Sequence, residues 1–193
     1  EIDYAMRCGN PSIKSKLSNL KEKGCQEIII IPLYPQYAAA TTATVCDEVY
    51  RSLMKMRWQP SLQIIPHYES EPLYIKALAK SIKKTLNRIR WIPDVIVASY
   101  HGIPQKYFDK GDPYHCYCQK TTRLLTEYIR IDVPIVTTFQ SRFGPEQWLK
   151  PYTDETIDSL PKEGKKKVLV ICPGFASDCV ETLEEISIEA KDS

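Results

Sequence analysis

The chain has 193 residues, of which 43% are hydrophobic and 26% are charged, and its formal net charge is +2. This composition is typical of a soluble globular protein and excludes a disordered or low-complexity chain. The positive residues are scattered apart from short clusters such as Lys165–Lys167, which argues against a nucleic-acid-binding surface, and no apolar run approaches the roughly 18 residues of a membrane span.

Five short runs rich in β-branched residues predict strands. Four of these runs are almost continuously apolar, which is typical of strands buried on both faces of a parallel sheet. The intervening segments have helical patterns, so the predicted fold class is α/β, with parallel sheets flanked by helices. The predicted strands are Glu27–Pro32, Leu62–Pro66, Asp94–Tyr100, Pro134–Thr138 and Lys167–Cys172.

The helical segments are bounded by familiar start and stop residues. Gly24 predicts a helix end, and Pro72 suits a first helical turn with Ser70 as its cap. The predicted helices are Ser12–Lys23, Thr41–Met56, Pro72–Ile89, Gln119–Ile129 and Asp178–Ser187, with a short one at Pro145–Leu149. The long third helix is interpreted as a connection between two lobes, which places the domains at residues 1–88 and 89–193.

The cysteines and glycines narrow the class of protein further. Seven cysteines without a repeated C-x-x-C spacing favour free thiols in a reduced, cytoplasmic compartment. His115-Cys116-Tyr117-Cys118 is interpreted as a loop with thiols rather than as a zinc site. With seven glycines and no Gly-rich phosphate loop, nucleotide binding is disfavoured.

Because the chain begins with Glu1 and has no signal peptide, we expect a fragment or a processed protein.

Polar side chains follow the predicted strands, where ligands bind in open α/β sheets. His101 follows the third strand in a turn with Gly102 and Pro104, where an imidazole can accept a proton or bind a metal. A hydrogen-bonded structural histidine is the alternative interpretation.

Three carboxylates, Glu181, Glu185 and Glu189, follow the last strand at a spacing of four residues on one helix face. Neighbouring carboxylates in such a row repel one another unless a bound cation neutralises them. An acidic helix face exposed to solvent would have the same pattern. His101 facing one of these glutamates would make a sparse, exchangeable metal site.

Several motifs occur in an order that resembles one known family, the ferrochelatases, along nearly the whole chain. They include Pro32-Leu33-Tyr34-Pro35-Gln36-Tyr37, Ser99-Tyr100-His101-Gly102-Ile103-Pro104, Phe139-Gln140-Ser141-Arg142-Phe143-Gly144 and Pro173-Gly174-Phe175-Ala176-Ser177-Asp178-Cys179-Val180-Glu181. The resemblance implies two Rossmann-like lobes with parallel sheets, and a lyase that inserts Fe2+ into protoporphyrin IX to form protohaem.

By this resemblance, His101 and Glu181 are the catalytic pair, and which of them takes a pyrrole proton or holds the iron stays open. Glu185 and Glu189 continue a metal delivery route along a helix that is often π-helical in the family. The residues that match pocket-lining or nearby positions are Arg7, Tyr34, Gln140, Ser141 and Trp148. Arg7 would contact a propionate or form part of the pocket wall.

The resemblance implies no organic cofactor, and Fe2+ is a substrate. Ala39 stands near where animal members have a cluster cysteine, so no 2Fe–2S cluster is expected. Cys8 and Cys179 stand where some relatives have Tyr and His, which looks like the proteobacterial branch. No nucleic-acid partner is expected, while peripheral membrane association and the oligomeric state stay open.

Two alternative functions remain at this point. One is a chelatase for another tetrapyrrole, such as coproporphyrin or a cobalt-accepting sirohydrochlorin. The other is a non-catalytic module that binds haem or a metal. The first part of lobe one and the tail of the family's longer chain have no counterpart here, so the activity of this chain alone is a separate question.

Overall fold

The computed structural model describes residues 1–192, which form two compact units. The first unit covers Glu1–His67 and the second begins at Tyr68. Among the described residues, no helix has the length and apolar character that crossing a membrane requires.

The first unit contains a pair of parallel strands and the helices that precede and connect them. Strand β1 pairs with strand β2, and Glu27 lies opposite Ser61 at the start of the ladder. In chain order, the elements are α1 (Ile13–Glu22), β1 (Glu27–Ile30), a π-helical turn (Ala39–Ala43), α2 (Thr44–Leu53) and β2 (Ser61–Ile64).

Helices α1 and α2 pack on one face of this two-stranded sheet. Ile28 is buried with Leu17 of α1 and Val49 of α2, whereas Ile29 on the opposite face is 61% exposed. The expectation that this strand is buried on both faces is therefore wrong for the structure described, because helices cover only the face that carries Ile28.

Helix α1 ends at the predicted glycine. Gly24 has a φ of +80°, the left-handed conformation that glycine adopts without a steric cost. The amide of Gly24 donates to the carbonyl of Lys21, and the amide of Cys25 donates to that of Leu20. These two hydrogen bonds satisfy carbonyls that the helix itself leaves free.

The second unit is built on a three-stranded parallel sheet in the order β4-β3-β5. The central strand β3 is buried along almost its whole length, as its continuous apolar pattern predicts. In chain order, the elements are α3 (Pro72–Leu86), β3 (Val95–His101), α4 (Gln105–Asp109), α5 (Tyr114–Ile129), β4 (Ile135–Gln140), α6 (Thr153–Ser159), a 3-10 turn (Leu160–Glu163), β5 (Val168–Ile171), a π-helix (Glu181–Glu189) and α7 (Ala190–Asp192).

Helix α3 packs with the second unit rather than the first. Ala79 and Ile82 of α3 are buried with Ile96 of β3 and Leu125 of α5. These apolar contacts join α3 to the second sheet, and the two compact units divide between His67 and Tyr68. The lobe boundary at residue 88 stays a prediction.

All five predicted strands are present among the described residues, and the α/β class with parallel sheets is confirmed. The short helix predicted at Pro145–Leu149 is wrong. Trp148 instead forms an antiparallel bridge with Pro104, and the amide of Leu149 donates to the carbonyl of Ile103. Tertiary pairing of two extended segments thus replaces a local helix.

Other local predictions need smaller corrections. Helices α4 and α6 were not predicted, because each is short and lacks a long apolar period. Helix α5 begins at Tyr114, so His115–Cys118 lies in a helix and not in a loop. Pro72 does occupy the first turn of α3, but the cap is Glu71, whose carboxylate accepts from the amide of Leu73, and not Ser70.

Candidate active site

The carboxyl ends of β3 and β4 meet at one edge of the second sheet. His101, the last residue of β3, lies opposite Gln140, the last residue of β4. Strand β5 ends at the same edge, because all three strands are parallel. This shared edge brings together the polar residues that follow the strands in the sequence.

The imidazole of His101 is held in one tautomer. Its Nδ1 lies 2.6 Å from the carbonyl oxygen of Gly102. Because a carbonyl oxygen only accepts, Nδ1 must carry the proton, and Nε2 of the neutral ring keeps its lone pair. The ring is half-buried beside Phe175, with 6.3 Å between the ring centroids. Nε2 is thus available as a base or a metal ligand.

Gly102 allows the turn after His101 to pack tightly. A Cβ atom at this position would lie 2.9 Å from the carbonyl oxygen of Gln140 and 3.1 Å from the ring of Trp148. The Gly102 amide also donates to the Gln140 carbonyl at 2.7 Å. Trp148 is 5% exposed, and its Nε1 donates to the carbonyl of Phe143. Its ring is thus fixed where it packs against the turn at Gly102.

Glu181 begins the π-helix that follows β5. A hydrogen bond from the Cys179 thiol, the backbone amide of Glu181 itself and the nearby His101 together lower the pKa of the Glu181 carboxyl. The side chain is therefore a carboxylate at neutral pH. The electrostatic effect of His101 is the smallest of these three contributions.

Gln140 connects the sheet to the π-helix. Its Oε1 accepts a 2.7 Å hydrogen bond from Ser99 Oγ, and its Nε2 donates to the carbonyl of Glu181 at 2.8 Å. The next residue, Ser141, donates from Oγ to Glu185 Oε2 at 2.8 Å. Hydrogen bonds from the end of β4 thus hold the backbone carbonyl of Glu181 and the carboxylate of Glu185.

Two thiols adjoin this network. Burial raises the pKa of the Cys172 thiol to about 12, and its Sγ lies 3.8 Å from Gln140 Oε1. Burial and the adjacent Glu181 also raise the pKa of the Cys179 thiol, so both cysteines are protonated at neutral pH. The sequence analysis selected neither Ser99 nor Cys172. Both could have been found from their positions at or near the carboxyl end of a predicted strand.

The predicted site residues divide into three groups. His101, Gln140, Ser141, Glu181 and Glu185 gather at the sheet edge through the contacts above. Glu189 is exposed near the end of the π-helix, and Trp148 is buried under the turn. Arg7 and Tyr34 belong to the first unit. There, Arg7 is exposed and its Nε donates to the carbonyl of Thr44, while Tyr34 is exposed shortly after β1.

The π-helical winding agrees with what the family resemblance implies for this segment. Ser187 Oγ donates to the carbonyl of Thr182, five residues earlier, inside the π-helix. Over residues 1–192, no three His, Cys, Asp or Glu side chains form a group that could hold a metal ion.

Comparison with known proteins gives a consistent result over the whole chain. The family model described as Ferrochelatase matches residues 1–193. A curated ferrochelatase from Allorhizobium ampelinum is 57% identical over 192 residues, covering 98% of this chain and 55% of the relative. A ferrochelatase from Rhizobium meliloti is 56% identical, covering 100% of this chain and 57% of the relative. A third, from Brucella anthropi, is 54% identical, covering 98% of this chain and 54% of the relative.

This chain thus spans about half the length of the curated relatives that it matches. The family match extends over both units, and it includes the strand ends that carry His101 and Gln140 and the segment that carries Glu181. The chain belongs to the ferrochelatase family.

Proposed function

We propose that this chain is part of a lyase that inserts Fe2+ into protoporphyrin IX and so forms protohaem, the last step of haem synthesis. The observation that carries the proposal is that His101, whose Nδ1 donates to the carbonyl of Gly102, and an ionised Glu181 interact at one sheet edge. The membership of the ferrochelatase family supports the same reaction.

The reaction needs both a proton acceptor and an anionic ligand. Fe2+ enters the macrocycle as two pyrrole N–H protons leave, so the products are protohaem and two protons. A proton acceptor works best when its pKa lies near the working pH, which suits an imidazole. A carboxylate with a lowered pKa is a poor base, but it is a good ligand for a divalent cation.

We therefore assign the proton transfer to His101 and the iron to Glu181. Nε2 of His101 takes a pyrrole proton, while Glu181 holds the incoming Fe2+ by its carboxylate. Before the proton moves, the Nε2 lone pair is a second iron ligand. It accepts one pyrrole proton after the iron has passed to the ring nitrogens, and water takes the second proton. Glu185 and the exposed Glu189 extend the carboxylate row along the π-helix and supply iron to this pair.

The family resemblance also assigns porphyrin contacts to two residues of the first unit, taken by itself. Arg7 has an exposed guanidinium that suits a propionate, and Tyr34 supplies an exposed aromatic ring. Gln140 and Ser141 act mainly through Glu181 and Glu185, and Trp148 acts through the turn that carries His101. Iron is a substrate, and we propose that neither an organic cofactor nor a 2Fe–2S cluster takes part. The free state of all seven cysteines supports a reduced, cytoplasmic location.

The deciding experiment measures Fe2+ insertion into protoporphyrin IX without oxygen, followed by the visible spectrum of the product. It uses the full-length protein that carries this sequence, its His101→Ala variant and, as a control, His67→Ala, which removes an exposed histidine elsewhere. We expect loss of turnover in His101→Ala with an unchanged circular dichroism spectrum, and normal turnover in the control.

Equal turnover in His101→Ala and wild type would refute the role of His101. Loss of the circular dichroism signal in that variant would favour a structural histidine. If the wild type forms no protohaem but binds haem, the non-catalytic module is the better interpretation.

A second experiment separates the members of the carboxylate row. We expect Glu181→Gln to lower the insertion rate more than Glu189→Gln, and Glu189→Gln to matter only when iron is limiting. Glu22→Gln, at an exposed position of helix α1, is the control. Wild-type rates for Glu189→Gln at limiting iron would contradict the delivery route.

The choice of tetrapyrrole needs its own comparison. Faster insertion into coproporphyrin than into protoporphyrin IX would replace the proposed substrate with the related one. The roles of His101 and Glu181 would be unchanged, because both substrates present the same pyrrole nitrogens to the pair.

A further inference from the structure

A line of buried hydroxyl groups leads to Gln140 of the candidate active site. Thr153 Oγ1 lies 2.8 Å from both Thr138 Oγ1 and Ser99 Oγ. Ser99 Oγ in turn donates to Gln140 Oε1 at 2.7 Å. The three hydroxyl residues Thr138, Thr153 and Ser99, named here the hydroxyl chain, are at most 3% exposed. None of them has a role in the reaction proposed above.

Two members of the hydroxyl chain are placed by the strand register. Side chains alternate between the two faces of a sheet, so Thr138 and Gln140 of β4 lie on one face and Thr137 lies on the other. Ser99 of β3 is paired with Thr138, which places both side chains on the same face. The alternation therefore brings a serine and a threonine together next to Gln140.

Thr153 joins this face from the side of β4 that points away from β3. The amide of Phe139 donates to the carbonyl of Pro151 at 2.9 Å, and Tyr152 forms a parallel bridge with Phe139. Thr153 follows directly as the first residue of α6. The extended residues 151–152 thus deliver its hydroxyl to a point between Thr138 and Ser99.

The orientation of the Gln140 amide follows from its partners. Its Nε2 lies 2.8 Å from the carbonyl oxygen of Glu181 and 3.3 Å from Glu185 Oε2. A carbonyl oxygen only accepts, so the NH2 group must face Glu181 and the amide oxygen must face Ser99. In the flipped orientation, the amide oxygen of Gln140 would lie against the Glu181 carbonyl and both hydrogen bonds would be lost.

The direction of the other hydrogen bonds follows from counting protons, because each hydroxyl has only one. Ser99 uses its proton for Gln140, so Thr153 must donate to Ser99. Thr153 then has no second proton, so Thr138 must donate to Thr153. All donations run from Thr138 towards Gln140, and hydrogen bonds in such a series strengthen one another.

A second group of buried hydroxyls on the opposite face of the sheet makes different contacts. Thr137 Oγ1 donates to Thr122 Oγ1 at 2.9 Å, and Tyr100 Oη lies 3.0 Å from the same oxygen. These hydrogen bonds join the two strands to helix α5. The hydroxyl chain, by contrast, leads through Gln140 to the π-helix that carries the site glutamates. Thr137 is therefore a matched control for it.

We propose that Thr138, Thr153 and Ser99 are positioning residues, which orient the Gln140 amide and so hold the start of the π-helix in the geometry that binds iron. All three are buried, so they act through Gln140 and not by contact with a substrate. The proposal rests on the function proposed above, in which Glu181 and Glu185 bind and supply iron. Its structural part, the hold on the π-helix, is measured without the reaction.

Hydrogen exchange of the full-length protein, followed by mass spectrometry, tests this hold. Valine resembles threonine in shape but has no hydroxyl, so in Thr153→Val the Ser99 hydroxyl loses its donor and can turn away from Gln140. We expect the backbone amides of residues 181–189 to exchange about three- to tenfold faster, which is the net effect of one hydrogen bond. Thr153→Ser keeps a hydroxyl and should restore the wild-type rate, and Thr137→Val should leave it unchanged.

Thr138→Val provides a second variant with a milder defect. Thr138 is the first donor of the hydroxyl chain, so its removal leaves no donor without a partner. Thr153 keeps its hydrogen bond to Ser99 in this variant. Exchange over residues 181–189 should therefore accelerate less than in Thr153→Val but more than in Thr137→Val.

The kinetics of iron insertion test the consequence for the reaction. In the full-length protein, Thr153→Val should raise the KM for Fe2+ about three- to tenfold, because the loosened segment carries the carboxylates that bind iron. The KM for protoporphyrin IX should not change. Thr153→Ser should recover the wild-type KM for Fe2+, and Thr137→Val should keep it.

Three results would overturn the proposal. The first is equal acceleration of exchange over residues 181–189 in Thr153→Val and Thr137→Val, which would make the hydroxyl chain a general stabilising feature. The second is wild-type exchange in both Thr153→Val and Thr138→Val. The third is faster exchange with an unchanged KM for Fe2+. A wild type without insertion activity would refute the proposed function instead, and exchange alone would then support or overturn the hold on the π-helix.

Discussion

Ser141 Oγ donates a 2.8 Å hydrogen bond to Glu185 Oε2 and so ties the end of strand β4 to the π-helix. Ser141 has a φ of +64°, a left-handed conformation that costs a residue with a Cβ roughly 1–2 kcal/mol. The chain adopts this conformation where the hydroxyl contacts a carboxylate of the candidate metal route. The strain is thus located at a contact between the sheet and the site.

Replacement of Ser141 by Gly tests this contact. Gly removes the hydroxyl but tolerates the positive φ, so the fold should be retained. The loss of a hydrogen bond to a carboxylate, worth about 1.5 kcal/mol, should lower insertion at limiting Fe2+ by about tenfold. Ser159→Ala removes a hydroxyl bonded to the carbonyl of Thr156 and is the control. An unchanged rate in Ser141→Gly would show that Glu185 needs no such support.

Gly102→Ala should destabilise the second unit. The added methyl would lie 2.9 Å from the Gln140 carbonyl oxygen and 3.1 Å from Trp148, and neither is the free end of a flexible side chain. Overpacking of this kind costs about 2 kcal/mol, measured as a fall in the free energy of unfolding in urea. The exposed Ser177→Ala should change it by less than about 0.5 kcal/mol. Equal unfolding midpoints for Gly102→Ala and wild type would contradict this tight packing.

Cys179→Ala should raise the pKa of Glu181 toward its ordinary value. The thiol hydrogen bond is the largest cause of the lowered pKa, and the effect of His101 is smaller. The measurement is a carboxyl titration by NMR, with Cys25→Ala as the control. A lowered pKa that persists in Cys179→Ala would mean that the backbone amide and His101 suffice.

The same lowered pKa sets the direction of a pH effect on stability. The folded protein binds the Glu181 proton less readily than the unfolded chain does, so the ionised carboxylate stabilises the fold above its ordinary pKa. This contribution is lost as the pH falls through the lowered pKa. The difference in thermal unfolding midpoint between wild type and Glu181→Gln should therefore shrink as the pH falls. A difference that grows as the pH falls would contradict this expectation.

Thiol reagents should distinguish the cysteines at mildly alkaline pH. Burial raises the pKa of Cys172 to about 12, so its thiolate is scarce, whereas Cys8 and Cys116 are exposed. Because the thiolate is the reactive form, mass spectrometry should find Cys8 and Cys116 labelled well before Cys172. Early labelling of Cys172 would mean that the strand β5 edge opens readily.

The buried strands of the second unit could be predicted from the sequence because their signal is local. A continuous apolar run such as Val95–Ala98 predicts a buried strand wherever it occurs. The polar residues that follow it must then lie at a strand end. His101 was selected in this way, and its place at the end of β3 is confirmed. The spacing of the carboxylates selected Glu181, Glu185 and Glu189. The family resemblance added Gln140 and Ser141, which no local pattern distinguishes from other polar residues.

The sequence by itself determined the α/β class, the positions of the strands and the residue types at their ends. Only the tertiary structure decided which of these residues meet: Ser141 reaches Glu185 across 44 residues because the order β4-β3-β5 brings distant strand ends to one edge. It also decided that α3 joins the second unit and that Trp148 pairs with the His101 turn instead of forming a helix. The physical reason is that packing and long-range hydrogen bonds depend on spatial neighbours, which a local pattern does not specify.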